Sequence, residues 1–277
     1  MRAFVFSGGG NRGPMQVGAV RALLERGIRP DMVVGCSAGA LNAAYLSREF
    51  SPEMVEELAQ VWRETTLDDI YPGSRVGTLW RILSRKDSFY DNRNFYDFLQ
   101  RTGSTPAQTF ASAPAYDLYI TATDFHDGSQ VVLSEGLLWE AMRASIAIPF
   151  VFAPRTVNGR LLMDGFLSDP LPVNVAIQER AGVILAMGFE SPNLRRFSSP
   201  MRLGLQLASV MTNNLLRSRF AFHNLTHFTE VIPILPEFRD SVGIFDTWKI
   251  PYAIEEGRRA AMLHIPYIKK LLAEVPA

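Results

Sequence analysis

Short apolar runs and longer amphipathic segments alternate along this chain. The first run, Ala3–Phe6, contains no polar residue and stops at a cluster of glycines, while a second run begins at Met32 and stops at the turn around Ser37. The amphipathic segment between the two runs starts at Pro14 and stops at Gly27, the usual positions of proline and glycine around a helix. A strand, a helix and a second strand form a βαβ unit, so this pattern predicts a parallel sheet.

The same alternation continues through the rest of the sequence. Further strands are predicted at Tyr116–Thr123, Gln130–Leu133, Arg160–Met163, Val183–Gly188 and Glu230–Leu235. Further helices are predicted from Pro52 onwards and at Leu138–Ser145, Pro172–Arg180, Met201–Phe222 and Tyr252–Glu274. The stretch around 65–114 is irregular, with short helical pieces at Val76–Lys86 and Asn94–Thr102, and we interpret it as a cap-like insertion. We therefore predict one domain over residues 1–277 with an α/β fold of three layers, α/β/α, around a mainly parallel central sheet.

Composition narrows the class of protein. The 277 residues are 47% hydrophobic and 20% charged, the balance of an ordinary globular protein. The 28 basic and 28 acidic residues cancel and no basic stripe is present, which argues against nucleic acid as a partner. A single cysteine, Cys36, excludes an internal disulfide and favours a reducing compartment. No signal peptide is evident, and no apolar run approaches the roughly 20 residues of a membrane-spanning helix, so we expect a cytoplasmic protein. The sequence makes no prediction of its oligomeric state.

The turn after the second strand has the sequence of a nucleophile elbow. Gly35-x-Ser37-x-Gly39 lies between an apolar strand and an alanine-rich helix, and such a turn lifts a serine hydroxyl above the edge of a parallel sheet. The helix that follows directs free N–H groups and a partial positive charge towards an anion that develops at Ser37. Serine is also a favoured N-cap residue, so the alternative for Ser37 is a purely structural role.

A glycine-rich loop after the first strand supplies a candidate oxyanion hole. Both loops open at the carboxyl edge of a parallel sheet, and glycines allow consecutive N–H groups to point at one oxygen. The predicted oxyanion-hole residues are Gly8, Gly9, Gly10, Arg12 and Gly13, with Arg12 adding positive charge. The loop also matches the dinucleotide fingerprint G-x-G-x-x-G, but the acid at a suitable distance, Asp31, precedes the second strand and so lies at the opposite edge. This position disfavours nucleotide binding.

A serine nucleophile needs a base, and the sequence offers histidines and carboxylates. None of the histidines has the late-loop position that an α/β-hydrolase requires. They are His126, His223, His227 and His264, of which the middle two have a helical zinc-site spacing without an evident third ligand. Asp164 at the end of a predicted strand is the best-placed carboxylate, Asp124 and Asp169 are weaker candidates, and a triad with histidine stays open. An aspartate, with an ordinary pKa near 3.9, would need burial beside the serine to act as the base.

In this order the motifs resemble the patatin-like phospholipases. That family has a G-G-x-R/K-G loop, a G-x-S-x-G elbow and a later D-G-G or D-G-A, which correspond here to Gly9–Gly13, Gly35–Gly39 and Asp164-Gly165. Three further segments are similar to the family, namely Thr121–Asp124, Ala144–Phe150 and Asp169–Val173. Phe166 is a departure, because the family usually has a small residue there, and the larger side chain either narrows the site or has no effect on it. The resemblance implies a patatin-like fold, a Ser37–Asp164 dyad without histidine, and hydrolysis of lipid acyl esters.

The resulting hypothesis is a cytoplasmic serine acyl hydrolase whose partner is a lipid acyl ester, with no metal and no organic cofactor. Its rivals are a Ser-His-Asp esterase and a catalytically silent lipid- or protein-binding module on the same fold.

Within Val76–Lys86, Leu79 and Trp80 lie close to Arg81 and Arg85. This mixture is typical of a helix at an anionic membrane surface and also of a capping helix packed on the core, so peripheral membrane contact stays open.

Overall fold

The computed structural model describes residues 1–66, 106–113, 115–149, 151–189, 229–240, 242–243 and 246–274, together with positions 69, 100, 210 and 214. Apart from three of those single positions, the predicted helices at Val76–Lys86, Asn94–Thr102 and Met201–Phe222 lie outside the described residues. His223 and His227 lie outside them as well.

Helices and strands alternate through the described part of the chain. The α-helices there are α1 (Pro14–Leu24), α2 (Ala38–Leu46), α3 (Pro52–Glu64), α4 (Leu138–Ser145), α5 (Val173–Gln178) and α6 (Ile250–Glu274). The strands there are β1 (Arg2–Phe6), β2 (Met32–Cys36), β3 (Asp117–Asp124), β4 (Gln130–Leu133), β5 (Arg155–Val157), β6 (Arg160–Asp164), β7 (Val183–Met187) and β8 (Glu230–Ile234). Short 3-10 helices lie at Gly10–Arg12, Phe110–Ser112, Gly165–Leu167 and Thr247–Lys249.

The described strands form one sheet that is mainly parallel. The pairings connect them in the order β5-β6-β3-β2-β1-β7-β8, and β4 also pairs with β3. Strands β1, β2, β3, β7 and β8 run parallel to one another, whereas β4 and β6 run antiparallel to β3, and β5 antiparallel to β6. The carboxyl ends of β1 and β2 therefore lie at the same edge, and the loops that contain Gly8 and Ser37 begin there.

Alternating side chains on the central strands build a core on each face of the sheet. Phe4 and Phe6 of β1 are fully buried in the core that α1, α2, α3, α4 and α6 share. Ala3 and Val5 point to the opposite face and pack there with Val173 and its neighbours in α5. The order of layers is helices, sheet and helix, so the predicted α/β/α architecture is confirmed.

Most of the predicted elements within the described residues are confirmed with small shifts at their ends. The exception is β5, which the sequence analysis left out although it forms a hairpin with β6. The connecting residues Asn158 and Gly159 have φ values of 49° and 76°, as expected for the Asn-Gly turn that commonly joins two antiparallel strands. This hairpin matters for the site because β6 ends at Asp164.

Candidate active site

Ser37 lies at a sharp turn between β2 and α2. Its backbone has φ 51° and ψ −121°, an unusual conformation for a residue with a side chain. Strand β2 and helix α2 are buried along their whole lengths, so packing on both sides holds the turn. The Ser37 N–H donates to Ser145 Oγ at the end of α4 over 2.8 Å, a buried bond. Ser37 thus has the strained strand-to-helix geometry of a nucleophile elbow.

Asp164 lies at the end of β6, a strand that runs in the opposite direction to the strand β2 that leads to Ser37. Strand β3 pairs with β2 as far as Thr121 and with β6 from Ala122 onwards, and β4 covers the other edge of β3 over this stretch. Strand β6 therefore continues the line of β2, and its last residue, Asp164, lies just beyond the end of β2 as the partner of Ala122. At this junction Ser37 Oγ donates a hydrogen bond to Asp164 Oδ2 over 2.8 Å.

The chain around Asp164 holds its carboxylate in place. The Phe166 N–H donates to Asp164 Oδ1 over 2.9 Å, which leaves Oδ2 for the serine. Gly165 passes so close to the Thr121 carbonyl that a side chain there would overlap it. Glycine at position 165 is therefore required by the close passage of the chain past β3, and the chain continues into the 3-10 helix Gly165–Leu167.

Burial gives Asp164 the proton affinity of a base suited to neutral pH. Asp164 is only 3% exposed and Ser37 only 5% exposed. Removal of the carboxylate from water raises the pKa of Asp164 from 3.8 to about 7, although the hydrogen bonds from Phe166 and Ser37 act in the opposite direction. A carboxylate with this pKa is still partly ionised at neutral pH and takes up a proton far more readily than an exposed aspartate.

The hydrogen bonds within the glycine loop show which N–H groups of the predicted oxyanion hole have a partner in the protein. The Gly8 N–H donates to a backbone carbonyl over 3.0 Å, and the N–H groups of Arg12 and Gly13 close the 3-10 turn of the loop. The N–H groups of these three residues are thus bound within the protein. In the described part of the chain the N–H groups of Gly9 and Gly10 make no hydrogen bond within the protein, so these two stay as candidate donors.

The Arg12 side chain anchors the loop. Its Nε donates to the Val242 carbonyl over 2.7 Å, and its guanidinium lies 4.6 Å from the centre of the Phe189 ring. Burial lowers the pKa of Arg12 to about 10, and the charge of Asp246 partly offsets this effect, so the guanidinium stays charged at neutral pH. These contacts fit the supporting role that the sequence suggested for Arg12.

The weaker carboxylate candidates are engaged elsewhere. Asp124 accepts hydrogen bonds from the His126 N–H and from Arg160, each over 2.8 Å, and both interactions lower the pKa of Asp124. Asp169 is fully buried and accepts a hydrogen bond from a backbone N–H over 3.2 Å. Asp31 binds the Arg2 N–H at the edge opposite Ser37, where the sequence had placed it.

The described histidines make no hydrogen bond to the pair. His126 follows β3 and His264 lies within α6, and neither bonds to Ser37 or Asp164. Burial lowers the pKa of His264, so this imidazole is a weaker base than a free histidine.

The described residues contain no group of three or more His, Cys, Asp or Glu side chains that could hold a metal ion. A cleft of about 840 Å³ lies beside Asp31, Tyr116 and Glu135, at the amino-terminal edge of the sheet and away from Ser37. No helix in the described ranges is both long and apolar enough to cross a membrane.

Three residues beside the pair were not assigned a catalytic role from the sequence. Ser145 binds the Ser37 backbone, and only the similarity of its segment to the family pointed to it. The Phe166 ring lies against Gly8, and its unusual size at this position was the available signal. The Phe189 ring lies where a side chain on Gly9 would fall, and no local pattern marks it.

The geometry agrees with a family match. The profile of the Patatin-like phospholipase family matches residues 4–177, a span that contains the glycine loop, the elbow and Asp164. The chain belongs to the patatin-like phospholipase family.

Curated relatives share the same region. The chain is 31% identical over 191 residues to patatin-like phospholipase domain-containing protein 7 of Rattus norvegicus, covering 67% of this chain and 13% of that protein. It is 27% identical over 208 residues to the lysophospholipase NTE1 of Kluyveromyces lactis, covering 72% of this chain and again 13% of the relative. The chain thus spans a small fraction of the length of these relatives.

Solved structures of bacterial proteins show a more distant likeness. VipD from Legionella pneumophila aligns with 95% of this chain and 66% of its own, at 15% identity and a TM-score of 0.47. The ExoU–SpcU complex of Pseudomonas aeruginosa aligns with 96% of this chain and 51% of its own, at 19% identity and a TM-score of 0.48.

Proposed function

We propose that this protein is a serine acyl hydrolase that cleaves the carboxylic ester bonds of lipids, either phospholipids or lysophospholipids, with Ser37 as nucleophile and Asp164 as base. The observation that carries the proposal is the 2.8 Å hydrogen bond from Ser37 Oγ to the buried Asp164 Oδ2. The strained elbow presents the serine hydroxyl to a substrate. Burial raises the pKa of Asp164 to about 7, so its carboxylate can accept the serine proton near neutral pH.

Acylation begins when Ser37 Oγ attacks the ester carbonyl carbon and its proton passes to Asp164 Oδ2. The electron pair of the C=O bond moves onto the carbonyl oxygen, where the N–H groups of Gly9 and Gly10 and the amino end of α2 stabilise the negative charge. The intermediate then collapses, the bond to the alcohol oxygen breaks, and the alkoxide takes the proton from Asp164. The products are a free alcohol and an acyl ester of Ser37.

Deacylation repeats these steps with water as the nucleophile. Asp164 takes a proton from the water as its oxygen attacks the acyl carbon, and the oxyanion forms at the same donors. Collapse breaks the bond to Ser37 Oγ, which regains its proton from Asp164, and the fatty acid leaves. Phe166 N–H and Ser145 Oγ hold the base and the nucleophile in register through both halves of the reaction.

Lipid esters are proposed as substrates because of the family and its named relatives, among which NTE1 is called a lysophospholipase. A silent binding module would not need a buried carboxylate next to an elbow serine, since burial of such a group disfavours its charged form. A triad with His223 or His227 would need one of them to bind Asp164, whose carboxylate accepts hydrogen bonds from Ser37 and Phe166 in the described part of the chain.

A fluorophosphonate probe tests the proposal directly. We expect covalent labelling at Ser37, with a rate that rises about tenfold per pH unit below pH 7 and levels off above it, because the attack needs ionised Asp164. Mass spectrometry of the labelled peptide and labelling rates between about pH 5 and about pH 9 provide the measurement. Ser37→Ala should remain unlabelled. A folded wild-type protein that resists the probe at every pH would contradict the proposal.

A further inference from the structure

A phenyl ring crowds the space beside Ser37. A Cβ built on Gly8 would lie 2.6 Å from Phe166 Cδ2 and 3.0 Å from Ser37 Cβ, so the ring, the loop and the nucleophile meet at one point. The ring is half-buried, and the next residue, Leu167, is exposed. The ring therefore borders the reacting group without being sealed in the core.

The Phe166 backbone places this ring on the side of the base. Its N–H binds Asp164 Oδ1, so the ring and the carboxylate belong to one short turn whose geometry the hydrogen bond fixes. In the reaction above, the alcohol oxygen must receive its proton from Asp164, so the alcohol part of the ester lies on this same side of Ser37. The donors Gly9 and Gly10 are further along the loop, where the Phe189 ring lies against Gly9.

We propose that Phe166 is a specificity-determining residue that limits branching at the alcohol carbon, so that the site prefers acyl esters of primary alcohols to those of secondary alcohols. This inference rests on the proposed hydrolase function. In an ester of a primary alcohol, the carbon next to the leaving oxygen carries two hydrogens. In an ester of a secondary alcohol, that carbon carries a second carbon substituent, which would meet the Phe166 ring. Among glycerolipids, the preferred substrates carry the acyl chain at a terminal glycerol position.

Three simple alkyl esters distinguish the alcohol side of the site from its acyl side. Propyl octanoate is the reference, isopropyl octanoate is its isomer with a second carbon substituent on the alcohol carbon, and propyl α-methyloctanoate adds one methyl group on the acyl carbon. For Phe166→Ala, the preference of kcat/KM for propyl over isopropyl should fall by about tenfold or more relative to wild type, since one methyl group in a tight pocket changes kcat/KM by roughly 10–200-fold. The preference against the acyl branch should change by less than about threefold. Leu167→Ala, in the same turn but exposed, is the matched control and should leave both preferences unchanged.

An unchanged propyl-to-isopropyl preference in Phe166→Ala, or an equal change on the acyl side, overturns the inference. Should Phe166→Ala fail to fold, Phe166→Leu, which keeps an apolar side chain but removes the ring, must shift the alcohol preference in the same direction, and a folded Phe166→Leu without that shift counts against the proposal equally. The proposed function fails separately, namely when the wild type hydrolyses none of the esters and resists the fluorophosphonate.

Discussion

Ser37→Ala and Asp164→Asn should each lower kcat for ester hydrolysis by about 10⁴-fold or more while the protein stays folded. Ser37→Ala removes the atom that forms the acyl ester. Asp164→Asn keeps the size of the side chain but removes the proton acceptor that lies 2.8 Å from Ser37 Oγ. Release of fatty acid from a lysophospholipid measures activity, and the thermal unfolding midpoint verifies the fold.

Single histidine substitutions provide the control for this pair. Replacing His126, His223, His227 or His264 by glutamine should leave most of the activity, because the dyad uses none of them. A hundredfold loss in one folded histidine variant would favour the triad over the dyad.

Gly10→Ala should lower kcat by about 10²–10³-fold by displacing the oxyanion donors. Gly10 has φ 56°, a left-handed conformation that alanine adopts only at a cost of about 1–2 kcal/mol, so the loop shifts to relieve the strain. The N–H groups of Gly9 and Gly10 then no longer point at one oxygen. Steady-state kinetics on a soluble ester should show the loss in kcat with a smaller change in KM.

Gly27→Ala is the matched control for the loop variant. Gly27 also has a left-handed backbone, with φ 75°, and a Cβ there would meet nothing within 4 Å. The variant should lose a similar amount of stability and keep its turnover. Equal losses of kcat in Gly10→Ala and Gly27→Ala would mean that backbone strain alone explains the effect, and the loop would lose its proposed role.

The sequence predicts those parts of the site whose signals are local. The elbow at Ser37 is recognisable because the strand, the small residues and the helix lie within a few positions of one another. The central sheet follows from the βαβ pattern of β1, α1 and β2 for the same reason.

The position of Asp164 depends on register, which the sequence does not reveal. The sequence argument put Ser37 and Asp164 at one edge of the sheet, each at the end of a predicted strand, without giving the direction of the strand that ends at Asp164. In the structure β6 is antiparallel to β3, and the two residues meet because β3 exchanges β2 for β6 between Thr121 and Ala122. The overlooked Asn158-Gly159 turn would have indicated only that β6 forms a hairpin with a strand before it, not that β6 pairs with β3.

Long-range hydrogen bonds decide which loop donors are free. Gly8 looks equivalent to Gly9 in the sequence, but its N–H is bound by the carbonyl of Pro170, a residue far away in the chain. Likewise, the partner of Arg12, the Val242 carbonyl, is separated from it by 230 positions. No spacing rule connects residues at such distances.

The burial of Asp164 also makes the stability of the fold depend on pH. Its carboxyl ionises near its ordinary pKa of 3.8 in the unfolded chain but near about 7 in the native protein. Between these values the native state binds more protons than the unfolded state, so the free energy of unfolding falls as the pH rises, by about 4 kcal/mol over the whole range.

Asp164→Asn removes this titration, so its midpoint of urea unfolding should exceed that of wild type at about pH 8 and approach it near about pH 4. Identical midpoints at both pH values would contradict the linkage. The ionised carboxylate that the proposed chemistry requires is thus the form that the native fold tolerates least, and the wild-type protein gives up conformational stability across the pH range in which its serine becomes reactive.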